Sequence, residues 1–361
     1  MITPISLPRS VLLLLGACLL AQLWGRLGDI DPHHVEVAVS VALVAILLDG
    51  GVHIGRRRFR TVAGPVALVG LLGTLLTTGG VAVVAHVALD FGWYPALLLG
   101  AALAPTDPAV VFAVLGNHEI PGRSGTLLEG ESGANDPVGI ALMTALIAAG
   151  GVSTGALSDA AAEFTLQLTV GLAGGLLGAL ALRPLARLHP AFLVAGALAV
   201  FGLTVLASGS GFLAVFVAGI ALGDDVLARR PASEQVLARV SGLGEVVAFV
   251  ALGLTIDPDV LRRSDVWGPG LVLGIALAVA IRPLLVGACL APMALSARER
   301  IFVLWAGLKG AVPILLGVLM LAEPVADADR LYGVVVVVVL FSVLVQGSTV
   351  GIVKPPGEPS R

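Results

Sequence analysis

The chain is short of charge. Asp, Glu, Lys and Arg make up 12% of its 361 residues, about half of the roughly 25% usual in soluble domains. Only two cysteines occur, Cys18 and Cys289, both within apolar runs, so free buried thiols are expected rather than a disulfide. The histidines are scattered, with His33-His34 in a loop, and no metal site or cofactor is expected. Lysine follows only Leu308 and Val353. The Gly-Lys pair of a Walker phosphate-binding loop is therefore missing, which excludes an ATP-driven pump of that type. Tyrosine occurs only before Pro95 and Gly333. Intramembrane aspartyl proteases carry a Tyr-Asp and a Gly-x-Gly-Asp motif; neither is present, although Asp107 and Asp136 lie on successive predicted helices.

What is abundant is apolar sequence: 57% of residues, with a mean hydropathy of +1.02. The chain reads as an all-α polytopic membrane protein with almost no room for a soluble domain. Apolar runs bounded by charge, Gly and Pro give about twelve candidate helices, at 8–26, 35–52, 62–89, 94–115, 127–149, 162–188, 190–207, 210–222, 236–254, 266–291, 299–321 and 330–353. The first has no small-residue cleavage site and is followed by Trp24 and Arg26, so it reads as retained. Placing both termini in the cytoplasm puts Arg9, Arg56, Arg57, Arg58, Arg60, Arg123, Arg183, Arg187, Arg229, Arg230, Arg239, Arg298, Arg300, Lys354 and Arg361 inside. Only Arg26, Arg262, Arg263 and Arg330 then lie outside. That asymmetry matches the positive-inside rule. The net charge of −3 says little, because most charges sit in short loops; no nucleic-acid partner is expected.

The chain is organised around Leu127 to Ala149. This apolar span carries Glu129, Glu131, Ser132, Asn135 and Asp136, where a charge at mid-bilayer costs at least about 2.5–3.5 kcal/mol. Ser132 and Asp136 are four apart and share a helical face, as do Glu131 and Asn135. Pro137 removes a backbone donor and frees a carbonyl one turn back. Such a face can replace the hydration shell of a small cation; the bland reading is a polar cluster that glues helices together. Two other spans are broken at their middle. Ala104-Pro105-Thr106-Asp107-Pro108 interrupts 94–115, and Gly307-Leu308-Lys309-Gly310-Ala311-Val312-Pro313 interrupts 299–321. Paired interruptions in two halves of a transporter point to its binding site, because half-helix dipoles and unwound carbonyls meet there.

Lesser features have structural explanations. Gly171, Gly174, Gly175 and Gly178 form small-xxx-small pairs suited to close helix packing. Glu245 fits a pathway or a helix contact equally, and Asp49 is interfacial. Arg282, before Pro283, is expected to snorkel. Asp224-Asp225 and Arg262-Arg263 read as loop charges.

The run Glu131-Ser132-Gly133-Ala134-Asn135-Asp136-Pro137 resembles the Asn-Asp signature of the monovalent cation:proton antiporters of the NhaP type. The Thr106-Asp107-Pro108 and Gly307–Pro313 breaks resemble that family's two unwound helices. Leu47-Leu48-Asp49-Gly50-Gly51 and Gly209-Ser210-Gly211-Phe212-Leu213-Ala214-Val215 match two further landmarks, so the likeness spans about 35–350 and leans towards bacterial potassium/proton antiporters. It implies an inverted-repeat fold with two crossing discontinuous helices, a homodimer, and an inner-membrane transporter rather than an enzyme. Core helices would be 94–149 and 299–353, scaffold and dimerisation helices 8–89 and 190–291, and the linker helix 162–188.

It also implies roles. Asp136 would be shared by cation and proton, with Ser132 and Thr106 as oxygen ligands, Glu131 a nearby or water-mediated contact, and Asp107 at the first crossover. Asn135 stands where electrogenic relatives carry a second aspartate, which implies electroneutral exchange of K⁺ or Na⁺ for H⁺. Lys309 replaces the family's usual arginine and is expected to pair with Glu131 rather than Asp136. Relatives usually have thirteen helices, which implies that a leading helix is missing here, either truly or through a misplaced start, and no regulatory domain is expected after Val353. The alternative on the same fold is a sodium-coupled symporter of organic anions.

Overall fold

Apolar sequence on every side of a segment leaves helix as the one conformation that satisfies its backbone within lipid. The computed structural model describes residues 9–23, 30–107, 111, 123–185, 190–229 and 231–353, and helix is the only regular structure among them. α1 (Arg9–Leu23) precedes α2 (Pro32–Ala67), which Asp31 caps by accepting from the His33 amide at 2.9 Å. A π-helical stretch, Leu68–Gly73, continues α2 into α3 (Thr74–Leu89). The predicted runs 35–52 and 62–89 are thus joined without a separate loop. Helical geometry breaks between them at Gly55, with φ 63° and ψ 162°. A 58-residue helical run at about 1.5 Å per residue is far longer than one crossing of a ~30 Å hydrocarbon core, and Gly55 supplies the interruption.

α4 (Trp93–Leu103) ends at the first break; Pro108 and the rest of run 94–115, apart from Val111, lie outside the described residues. Then come α5 (Arg123–Ala149), α6 (Thr154–Leu185), α7 (Pro190–Leu206), α8 (Gly211–Arg229) and α9 (Pro231–Leu254). The short run 210–222 thus belongs to a longer helix. α10 (Ser264–Ala276) passes into a second π-helical stretch, Leu277–Val286. α11 (Ala297–Trp305), opened by a Ser296–Glu299 capping box, and α12 (Ala311–Ala322) flank the second break. α13 (Ala328–Phe341) ends in a third π-helical stretch, Ser342–Gly347.

Glycines set the helix contacts. A Cβ on Gly219 would lie 2.7 Å from the Leu48 carbonyl, and one on Gly51 2.6 Å from that of Phe216, so α2 and α8 cross backbone to backbone. The α6 stripe works the same way. Gly171 and Gly175 face the Ser210 and Ala214 carbonyls, and Gly174 and Gly178 face Thr204 and Val200. Gly80 of α3 meets Leu285 and Ile281, Gly100 of α4 meets Thr78, and Gly270 and Gly274 of α10 meet Val337 and Phe341. α3 and α10 therefore pack with the broken helices and α13. The α13 span is 67% buried and the α6 span 28%, which puts α13 inside the bundle and α6 at its rim; Leu176, Leu177 and Leu180 face outwards there.

Candidate functional site: two crossed helix breaks beside an acidic helix face

The two breaks touch through their backbones. Pro105 removes a donor from the first, and two glycines loosen the second. The freed Asp107 amide donates to the Leu308 carbonyl at 2.8 Å. The approach requires glycine at 310, where a Cβ would overlap the Asp107 carboxylate and lie 2.5 Å from its Cβ. The second break is fixed from behind: the Lys309 amide donates to Ser342 Oγ at 3.0 Å, and that hydroxyl donates to Gln346 Oε1 at 2.8 Å.

α5 lies against the crossing. Gly139 makes room for Pro105, whose Cγ would be 2.5 Å from a Cβ there. Ser132 Oγ donates to the Thr106 carbonyl at 2.6 Å, Asn135 Nδ2 donates to Thr106 Oγ1 at 2.8 Å, and Asn135 Oδ1 accepts from the Thr106 amide at 3.4 Å. Thr106, Ser132 and Asn135 are all buried. Asn135 thus clasps the unwound segment with both ends of its amide. Asp136 sits one turn beyond Ser132; its Oδ1 is buried and has no hydrogen-bond partner among the described residues. The charges of Asp107 and Lys309 act on it directly. The structure therefore brings together Thr106, Asp107, Ser132, Asn135 and Asp136.

The ion pair is not the expected one. Glu131, 1% exposed, is paired with Arg282 and not with Lys309. Arg282 Nη1 donates to Glu131 Oε1 at 2.7 Å and Nη2 to Oε2 at 3.1 Å. The same guanidinium donates to the Leu304 carbonyl at 2.9 Å and the Val303 carbonyl at 3.1 Å, in the last turn of α11. Arg282 therefore does not snorkel; it is 5% exposed. The planar fork explains the choice, since five donors serve two carboxylate oxygens and two carbonyls at once. Gly307 leaves the space, because a Cβ there would overlap the guanidinium. Lys309 Nζ instead donates to the carbonyls of Ala104 and Pro105 at 3.0 and 2.9 Å. These carbonyls end α4 without helical partners, and an ammonium at a helix C-terminus also meets the negative end of its dipole.

Sequence reasoning missed Arg282, Ser342 and Gln346. The one available signal for Arg282 was a lone arginine inside an apolar run, the same feature that made it look like a snorkelling residue. The three π-helical stretches surround this site. Gly70 of the first packs against Ala134, the second carries Arg282, and the third carries Ser342 and Gln346. Such bulges recur at functional sites because they re-aim side chains within a helix.

A family model described as sodium/hydrogen exchanger, transmembrane, matches residues 1–354. Two relatives are each 34% identical: a K⁺/H⁺ antiporter NhaP2 of Shewanella sp. strain MR-4 over 330 residues, and a K⁺/H⁺ antiporter NhaP of Alkalimonas amylolytica over 336. The matches cover 88% and 89% of this chain, and the chain spans 57% and 58% of the length of those relatives. Among solved structures, the sodium proton antiporter MjNhaP1 of Methanocaldococcus jannaschii at pH 8 superimposes with a TM-score of 0.77 at 21% identity, over 97% of this chain and 98% of that one. The all-helical architecture is the fold of that antiporter. By the family match and these relatives, the chain belongs to the sodium/hydrogen exchanger family.

Proposed function

We propose that the chain exchanges a monovalent cation, K⁺ or Na⁺, for a proton by competition at Asp136. The observation that carries this reading is the Asp136 Oδ1, buried without a protein partner beside two unwound segments. Glu131 and Arg282 cancel each other, and Asp107 and Lys309 act on Asp136 with opposite signs, so the group around Asp136 carries one net negative charge. One cation or one proton neutralises that charge. Either occupant removes the cost of carrying a bare carboxylate across a low-dielectric barrier, so only loaded states move. A neutral Asn135 in the clasp keeps the count at one charge for one, which supports electroneutral exchange. In this reading Ser132 and Thr106 supply further oxygens to the cation's shell, whereas both Glu131 oxygens are engaged by Arg282, which favours a brace over a ligand.

The moving half is taken to be 94–149 with 299–353. The glycine contacts of α3 and α10 add 68–89 and 264–290 to it, leaving 8–67 and 190–254 as scaffold and 162–188 as linker. A homodimer, an inner-membrane location and cytoplasmic termini complete the reading, supported by the resemblance and by the Lys/Arg asymmetry. The preference for potassium follows the two relatives named above. Everted vesicles with a pH-sensitive dye test the proposal. Adding KCl or NaCl to a pre-acidified lumen should release protons, and Asp136→Asn should abolish that release while the protein stays folded in the membrane. Undiminished exchange in Asp136→Asn would remove the carboxylate from its role.

A further inference from the structure

The break in α2 leaves a cluster of positive charge at one membrane boundary. Pro32 to Ile54 makes about 34 Å of helix at ~1.5 Å per residue, enough to cross a ~30 Å hydrocarbon core. Gly55 then interrupts the helix with φ 63° and ψ 162°. Arg56, Arg57, Arg58 and Arg60 follow at once, all of them exposed. Val62 and Val66, both buried, return the segment to the bundle. The four guanidiniums therefore lie at headgroup depth, where the second part of α2 begins its own crossing.

The protein serves them poorly. Arg60 shares a helix face with both Arg56 and Arg57, so like charges stand one turn apart and repel. The interruption at Gly55 also makes this a helix start, the end at which the dipole disfavours cations. The open backbone shows at Arg57, whose amide donates to Asp224 Oδ1 of α8 at 3.5 Å. Asp224 fits there because residue 55 is glycine; a Cβ would lie 2.9 Å from its Oδ1. The other Asp224 oxygen is 3.7 Å from Arg56 Nε. Among the described residues no acid pairs with Arg57, Arg58 or Arg60. Repulsion and dipole are both relieved by an anion from outside the chain. A phosphate accepts the planar guanidinium fork through paired hydrogen bonds, and an anionic leaflet presents phosphate at this depth.

We propose that Arg57, Arg58 and Arg60 bind the headgroup phosphate of an anionic phospholipid, while Arg56 stays with Asp224 and fixes the Gly55 break beside it. The site needs the bilayer and the break in α2 but no transported ion, so it stands apart from the exchange reading. Each arginine at an anionic surface strengthens binding about fivefold, and the three together about a hundredfold.

The full chain in an uncharged detergent, titrated with phosphatidylglycerol or phosphatidylcholine while its melting temperature is followed, tests the site. Phosphatidylglycerol should raise the melting temperature and phosphatidylcholine should leave it near the lipid-free value. Arg58→Gln should need about fivefold more phosphatidylglycerol for half of the rise. The triple variant Arg57→Gln, Arg58→Gln, Arg60→Gln should lose the rise, and Arg57→Lys, Arg58→Lys, Arg60→Lys should keep most of it, which separates lost charge from damaged folding. Arg239→Gln, Arg298→Gln removes two exposed arginines assigned to the same face and should respond as the wild type does. Equal rises with the two lipids overturn the proposal without any variant. So does a triple glutamine variant that responds normally, or loss of the rise in Arg239→Gln, Arg298→Gln, which would mean summed charge rather than a site. The same rise with glycerol phosphate would assign the cluster to a soluble anion and overturn the lipid as its occupant.

Discussion

Arg282→Leu is the most demanding perturbation the structure suggests. Arg282 and Glu131 are 5% and 1% exposed, so the variant strands a carboxylate in the protein interior. Removing one partner of a buried pair costs about 3–5 kcal/mol. The Leu304 and Val303 carbonyls lose their donor as well, at about 1–3 kcal/mol for the buried acceptors. The total, about 4–8 kcal/mol, is comparable to the whole stability of an ordinary domain. Arg282→Leu should therefore fail to accumulate as a monodisperse species in detergent. The double variant Arg282→Leu, Glu131→Leu removes the stranded charge and should recover most of the first loss but not the second. Fluorescence-detected size exclusion after graded heating ranks the three chains. Wild-type yield and melting temperature for Arg282→Leu would refute the reasoning, as would a double variant no better than the single one.

Other positions give narrower tests. Gly310→Ala places a Cβ on the Asp107 carboxylate; it should abolish exchange and lower the melting temperature, and a silent variant would show that the crossing relaxes freely. Lys309→Met leaves the Ala104 and Pro105 carbonyls without their donor and should cost about 2–5 kcal/mol in thermal stability, whereas an ion-pairing lysine would be rescued by also neutralising Glu131. Asn135→Leu strands the buried Thr106 amide at about 1–3 kcal/mol, visible as a lower melting temperature at unchanged membrane insertion. Gly219→Val pushes against the Leu48 carbonyl and should reduce folded yield through the α2–α8 crossing without altering the cation preference of the surviving protein.

Much of the site is legible because its features are local. Pro105 and the Gly307–Gly310 pair announce unwound backbone wherever they fall, and an acid-bearing span with Ser132, Asn135 and Asp136 at helical spacing announces a polar face. The contact between the breaks also follows, since unwound backbone in lipid needs a partner and the other break is the available one. The glycine stripe of α6 is read correctly for the same reason: small residues at helical spacing have one structural use. Lys309 shows where local reading fails. From sequence it and Arg282 are each a lone cation in an apolar run, and Glu131 is a lone acid.

Sequence by itself determined the fold class, the two breaks, the acidic helix face and the family resemblance, because each is written in residue types at short spacing. Tertiary structure alone decided how the charges are shared. Arg282 and Glu131 lie 151 residues apart, and no periodicity links such positions. The pairing depends on which cation the packing delivers to which acceptor. The guanidinium fork reaches a carboxylate and two α11 carbonyls together, while the ammonium fits the open end of α4. A cavity of about 410 Å³ is likewise a property of packing, a gap among α2, α5, α6, α7, α8 and α12 that no short motif announces.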